Sequence, residues 1–439
     1  MTRITLFPKD DRTNGWSALL PPRIPRSALK GDVTADFVVI GAGYAGVGAA
    51  RRLGELRPDA QIIILDAQQL GENASGRNSG FAIDLPHNVG SSLEELAKGN
   101  AYLRLARAGI DSLRDCVRRY QIDCDWSEDG KYHTATSNRG AEEVLKPTVE
   151  ELDRLGEPYE WLDHTETTKR LGTQHFAASV YTPGTVLLNP AALNRGLGEN
   201  LPENVTLYEN CPVFEADFGS TITLRTANGS VRVPRAILAV NGLAMRFGFW
   251  KGRLLNFAAH ASLSRRLSEA EQAALGNIAP WGSTPANAFA GITMRYTNDR
   301  RILIRQNIHF CPKLRQSDER RAKIRVEHQR LFDQRFPLLK GVTMEHTWTG
   351  YICLSRNGAP GFGQVAPNVW SAVCQNAVGV AKGTISGRLA AEMALGEDNP
   401  LIADMISLGT PTPVPPRPFL DIGVRARFAY EIFKNQHEA

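Results

Sequence analysis

Long apolar runs are missing from this chain, and so are long runs of one charge. No stretch approaches the ~18 consecutive apolar residues of a membrane span, so no spanning segment is expected. No like-charge block resembles a disordered nucleic-acid-binding tail. The surplus of +5 over 439 residues reads as an ordinary solvated surface, and no nucleic-acid partner is expected. Cysteine is sparse and scattered: Cys116, Cys124, Cys211, Cys311, Cys353 and Cys374 form no Cys-x-x-Cys pair. That argues against zinc, any other metal centre and a disulfide framework, and makes a reducing, cytoplasmic location the simplest reading. Lys9, Asp10 and Asp11 precede any long apolar run, unlike a signal peptide. Internal repeats and low-complexity segments are also absent.

Against that plain background stands one strong pattern. Residues 36–40 form a short, largely apolar strand that runs into Gly41, Ala42, Gly43, Tyr44, Ala45 and Gly46, then into helix-compatible sequence over 47–53. Gly41 permits a tight turn, Gly43 lets backbone approach a pyrophosphate, and Gly46 lets helix and strand pack closely. The helix then points free N–H groups and its positive dipole end at phosphate. Residues 61–65 read as the next parallel strand, apolar throughout as for a strand buried on both faces. The strand ends in Asp66 and Ala67, with the carboxylate placed to accept from ribose hydroxyls. Glycine turns alone are common; this order of elements predicts a dinucleotide site.

The chain is long for one core. Residues 1–32, with Trp16, Pro21, Pro22 and Pro25, read as an extended arm over the surface. A long, polar, small-residue loop over 71–81 includes Ser75, Gly76, Arg77, Asn78, Ser79 and Gly80. Helical spacing covers 93–120 and 141–155. Short strands are expected at 205–208 and at Val213 and Phe214, a hairpin at 221–233, and a buried strand at 236–240 ending in Asn241 and Gly242. Alternation over 253–310 predicts a second, mostly antiparallel sheet. A helix over 318–332, a strand over 369–373 and a helix over 379–395 follow, then a Pro-rich stretch and a terminal helix. The expected fold class is α/β: a Rossmann-like nucleotide-binding domain with an inserted α+β domain on a mostly antiparallel sheet. The nucleotide-binding domain takes residues 33–92, 180–246 and 345–399, the inserted domain takes 93–179 and 247–344, and 400–439 form a C-terminal arm.

Four stretches together resemble the D-amino-acid-oxidase-like FAD-dependent oxidoreductases. They are the fingerprint at 41–46, the loop at 75–80, the strand end at 239–242 and the turn Gly379, Val380, Ala381. Trp16 and Trp348, Thr349 and Gly350 make the chain most similar to the γ-glutamylputrescine oxidase and glycine oxidase branch. The resemblance spans nearly the whole chain. It implies FAD, with Gly41, Gly43 and Gly46 at the pyrophosphate and Asp66 at the adenosine ribose. It implies that Ser75, Arg77, Asn78, Ser79 and Gly80 line the pyrophosphate and flavin, and that Val213 meets the adenine through its backbone. Gly379, Val380 and Ala381 would set a helix N-terminus by the flavin's pyrimidine edge, where a dipole stabilises the negative charge of reduction. Relatives commonly have glycines near Cys374 and Ala377. Some attach FAD through a cysteine, at a position that falls on Gly350 here, so non-covalent FAD is expected.

The reaction the resemblance implies takes hydride from the carbon bearing a small-molecule amine's nitrogen, giving an imine that water hydrolyses, with O2 or another acceptor reoxidising the flavin. Dehydrogenase chemistry with another acceptor, a flavin domain of an RNA-modifying system and a non-catalytic electron-transfer subunit are the alternatives. His87 follows the flavin loop and is a candidate to sit over the ring; a hydrogen-bonded structural histidine is the plainer reading. The same two readings apply to His260. Arg305 would clamp an anionic substrate group or simply edge a solvated strand. Tyr351 would cap the substrate or pack in the core. Lys382 resembles a substrate-carboxylate lysine of sarcosine-oxidase relatives, displaced by one residue. The oligomeric state is not legible.

Overall fold

The computed structural model describes residues 1–9, 11–86 and 99–438. A six-stranded sheet runs in the order Val205–Tyr208, Ile62–Leu65, Phe37–Ile40, Arg235–Leu238, Val369–Val373, Gly361–Ala366. Its first five strands are mutually parallel and the last is antiparallel. Both faces are buried, which explains the unbroken apolar strand sequences. On one face Phe37, Val39, Ile62, Ile64 and Ile237 pack under the helices Tyr44–Leu56 and Ala381–Leu395. On the other, Val38, Ile40, Ile63 and Leu238 pack against Val231, Val233 and Phe247.

That second cover is a five-stranded sheet, Thr2–Arg3, Glu215–Phe218, Ile222–Arg225, Gly229–Val233 and Gly31–Thr34. It corrects the expectation of a surface arm over 1–32, since both ends of that segment are edge strands of this sheet. The middle is anchored as well. Trp16 is 1% exposed and its indole N–H donates to Asn78 O at 2.8 Å, because so large a ring is costly to leave in water. Asp11 accepts from both Arg77 and Arg321 at 2.8 Å, tying the segment down electrostatically. Val213 and Phe214 precede a strand rather than form one.

The mostly antiparallel sheet has eight strands, in the order Met344–Ser355, Leu254–Ser264, Ile302–Phe310, Thr293–Tyr296, Trp281–Pro285, Lys131–Ala135, Ala178–Thr182, Glu160–Leu162. Only the pair between Trp281–Pro285 and Lys131–Ala135 is parallel. Two strands lie elsewhere than the domain spans anticipate. Ala178–Thr182 and Met344–Ser355 pair in this sheet, although 180–246 and 345–399 are the nucleotide-domain spans. The long strand Met344–Ser355 matches Leu254–Ser264 nearly end to end, so its ladder is satisfied there. Helix Gly99–Tyr120 covers the described part of the span expected from 93. Beyond Leu395 come helices Pro400–Ser407 and Phe419–Lys434. No helix among the described residues is long and apolar enough to cross a membrane.

Candidate functional site

A cleft opens at the C-terminal ends of the parallel strands, the usual ligand position in such sheets. Phe37–Ile40 delivers the chain into Gly41, whose φ of +102° suits glycine. A Cβ there would also sit 2.7 Å from Ala239 O. Gly46 packs so closely on the turn that a Cβ would overlap Gly41 O. Gly43 has no side chain to cap the helix Tyr44–Leu56, and Ser75 Oγ accepts from Tyr44 N at 3.1 Å, leaving the helix's positive dipole end at the cleft.

The cleft has two connected hollows. The outer one is lined by Gly41, Ala42, Gly43, Asp66, Ala67 and Val213, with Asn241 and Gly242 from the middle strand's end. The inner one is lined by Tyr44, Ala45, Arg77, Asn78 and Ser79, with Gly379 and Val380 at its far side. Ser75, Gly43, Asn241 and Tyr351 line both. Gly46, Gly76, Gly80 and Ala381 do not line the described walls. They are packing positions, and a Cβ on Gly76 or Gly80 would overlap Gly71 O or Leu188 O. The last core helix starts at Ala381 after Val380, again with no side-chain cap.

Asp66 accepts backbone hydrogen bonds from Ala42 and, at 2.8 Å, Gln68. Burial outweighs those bonds and raises its carboxyl from 3.8 to about 6. Protein without cofactor therefore holds a proton on Asp66 between those values and loses stability as pH rises through that window. Ribose hydroxyls donate to the ionised form, so FAD affinity is expected to strengthen as pH rises from about 5 to 7. Ultrafiltration with flavin fluorescence measures this, and Asp66→Asn should flatten the dependence.

Several expected contacts have other employment. Arg77 spends its guanidinium on Glu72 O, Asp11 and Thr349 O, so it braces the N-terminal segment. Asn78 bonds Ala74 O, Ser75 O and Gly80 N, shaping its own loop. His260 is corrected away from the site. Along its strand Ala259 and Ala261 line the inner hollow, so the alternate side chain points through the sheet. There it hydrogen-bonds Thr349 Oγ1 at 3.0 Å and stacks on His309 at 5.2 Å, and burial holds its pKa down at about 2. Lys382 places Nζ 5.0 Å from the Tyr102 ring centre and does not line the cleft. His87 lies outside the described residues.

Arg305 and Tyr351 do line the inner hollow. Arg305 Nη2 donates to Thr293 Oγ1 at 2.7 Å, and its buried Nη1 has no partner among the described residues. Burial without a neighbouring acid lowers its pKa to about 10, so it stays cationic at neutral pH. Burial raises the Tyr351 hydroxyl to about 12, keeping it a donor. Sequence reasoning missed Asn256 and Gln375. Asn256 lines the outer hollow and Gln375 the inner, each with a buried side-chain oxygen unpartnered among the described residues. Lone amides in strands and loops give no spacing signal.

Two helix N-termini directed at one cleft, a carboxylate beyond the glycine turn and polar atoms without partners among the described residues suit a long, phosphate-bearing dinucleotide. The class is a flavin-nucleotide oxidoreductase of the Rossmann type. The chain belongs to the family described as FAD dependent oxidoreductase (DAO), whose pattern matches residues 36–393. It is similar to the gamma-glutamylputrescine oxidoreductase of Escherichia coli, 25% identical over 85% of this chain and 86% of that one. It is also similar to the probable oxidoreductase OrdL of Haemophilus influenzae, 23% identical over 84% of each chain. In fold it resembles glycine oxidase from Geobacillus kaustophilus, with a TM-score of 0.70 and 19% identity over 87% of this chain and 100% of that one.

Proposed function

We propose that this FAD-dependent oxidoreductase oxidises the carbon bearing the nitrogen of a small primary or N-alkylated amine carrying an anionic group. Amino acids, γ-glutamylated polyamines and aminophosphonates are the substrate classes in view, and O2 is the acceptor. The observation that carries this reading is Arg305, a partly buried cation that lines the inner hollow and whose Nη1 has no partner among the described residues. A buried guanidinium without an acid is costly, and an incoming carboxylate or phosphonate relieves that cost by bidentate hydrogen bonding. The names of two relatives, gamma-glutamylputrescine oxidoreductase and glycine oxidase, point to nitrogen-bearing substrates.

In this reading Gly41, Gly43 and Ser75 hold the FAD pyrophosphate, Asp66 the ribose, and Val213 the adenine side of the outer hollow. Bound FAD supplies hydride acceptance. Arg305, steadied by Thr293, sets where the substrate's anionic end rests, and so which C–H bond faces the inner hollow. Tyr351 donates from the junction of the hollows. The helix starting at Ala381 favours negative charge developing near its N-terminus.

Anaerobic bleaching of the flavin by a panel of amines, amino acids, polyamine derivatives and aminophosphonates tests the reading. Bleaching by anionic amines with colour restored by air supports it; no bleaching by any member sinks it. Colour restored only by an artificial acceptor makes the protein a dehydrogenase. Non-covalent attachment predicts that acid precipitation leaves the flavin in the supernatant.

A further inference from the structure

A second hollow of about 850 Å³ lies against the inner one, within the size range of ligand pockets. The two share a floor. Alternation puts Leu255, Phe257, Ala259 and Ala261 on one face of the strand Leu254–Ser264. Leu255 and Phe257 line the second hollow, while Ala259 and Ala261 line the inner one. The neighbouring strand repeats the division, with Gly350 and Ile352 under the inner hollow and Leu354 under the second. Thr284 lines both, so it marks the neck between two rooms on one sheet face.

The helix Phe419–Lys434 roofs the second room. Its Leu420, Val424 and Phe428 recur every four residues and face inward. Phe428 stacks on Phe257 at 5.1 Å and meets Phe289 edge-on at 4.9 Å. Floor and roof are thus apolar, while Glu143, Glu151, Arg356, Arg427 and Glu431 also line the room and Lys131 stands at the neck. Lys131, 6% exposed, lines the room and makes one long hydrogen bond among the described residues, to Thr284 Oγ1 at 3.4 Å. That length is beyond the usual range, leaving most of a buried ammonium's donor capacity unspent. His133 beside it is engaged with Pro285 O at 3.0 Å, and burial holds it neutral near neutral pH.

We propose that this second room is the substrate's tail site. It receives a mainly apolar arm that leaves the reacting amine, presents an oxygen acceptor, carboxylate or amide carbonyl, to Lys131 at the Thr284 neck, and runs on into the room. The inference rests on the amine-oxidation reading above and enlarges its substrate, from a small amine to one whose N-alkyl arm fills a second room. Small rooms floored by alanine suit the reacting end, and a large room floored by leucine and phenylalanine suits the arm.

Two measurements on the holoenzyme test it. In anaerobic flavin reduction, N-octylglycine should exceed N-methylglycine in kcat/KM by at least about tenfold, since several methylenes leave water. Val424→Trp, which fills the room from its half-exposed roof, should bring the ratio near unity. In calorimetry, decanoate should bind one per chain, and Lys131→Met should weaken it about tenfold or more by removing the charged donor. Val424→Trp should also abolish decanoate binding, which keeps the test informative where Lys131→Met fails to fold. Equal rates for the two glycines in the parent enzyme overturn the proposal, and so does decanoate binding unchanged in both variants. If decanoate binding follows the variants but no amine bleaches the flavin, the room stands as an apolar-acid site and the amine-oxidation reading falls.

Discussion

Arg305→Met is expected to give a protein that is more stable without substrate and nearly inactive on anionic amines. Both effects have one cause. Among the described residues of the free protein the guanidinium makes one hydrogen bond, to Thr293, and its buried Nη1 has no partner. Removing an unsatisfied buried polar group relieves about 1–3 kcal/mol of desolvation, and methionine fills much of the same volume. In the complex the same group faces the substrate's anion. Truncating one partner of a buried, hydrogen-bonded charge pair costs about 2–5 kcal/mol, roughly thirty- to several-thousand-fold in kcat/KM. Arg305→Lys should recover part of the rate, because it keeps the charge and loses the planar fork. Thermal unfolding without substrate and rapid-mixing flavin reduction read the two signs separately. Unchanged kcat/KM on anionic amines in the methionine variant would remove Arg305 from substrate recognition.

Gly46→Ala should abolish flavin binding, and Gly387→Ala should do nearly the same from the neighbouring helix Ala381–Leu395 on the same face of the sheet. The added methyl of Gly46 would overlap Gly41 O, and that of Gly387 would overlap Ala45 O. In both cases the obstacle is backbone. The turn at Gly41 and the first turn of helix Tyr44–Leu56 must then move apart, taking with them the N–H groups that face the cleft. Overpacking of this kind costs about 1–3 kcal/mol where side chains can yield, and more where only main chain is available. That is a large share of the roughly 5–15 kcal/mol holding a domain folded. Gly379→Ala is the control, since its nearest neighbour, Gln375 Cβ, would be 3.8 Å away. The visible flavin spectrum and thermal midpoint of the three variants check the ranking. A fully yellow, normally stable Gly46→Ala protein would contradict the close-packed turn.

The parts of this site legible in sequence are those built from neighbours in the chain. Strand, glycine turn, helix, strand and Asp66 fall within residues 37–66, so their geometry follows from local spacing. The N-terminal strands were illegible because Thr2–Arg3 and Gly31–Thr34 are short and find their partners near residues 215 and 229. His260 shows a different limit. Its place in the second sheet was readable, but one residue of strand parity sends the ring through the sheet to Thr349 and His309. Arg305 obeys the same parity and lands on the useful face. The second room was invisible for a third reason: its floor, neck and roof come from strands at 254–264, 281–285 and 344–355 and a helix at 419–434.

The loop at 374–377 carries one more consequence. Glycine suits such backbone, yet here Cys374, Asn376 and Ala377 hold φ values of +57°, +52° and +68° with side chains attached. Such backbone costs on the order of 1 kcal/mol per residue and persists only where its surroundings over-determine it. The brace is Asn376, whose amide donates to Gly358 O at 2.6 Å and Ala359 O at 3.2 Å and accepts from Ser355 N at 2.8 Å. A wall held this way behaves as masonry, not as a door. Whatever opens and closes around the inner hollow, the stretch of wall that holds Gln375 and Ala377 stays put.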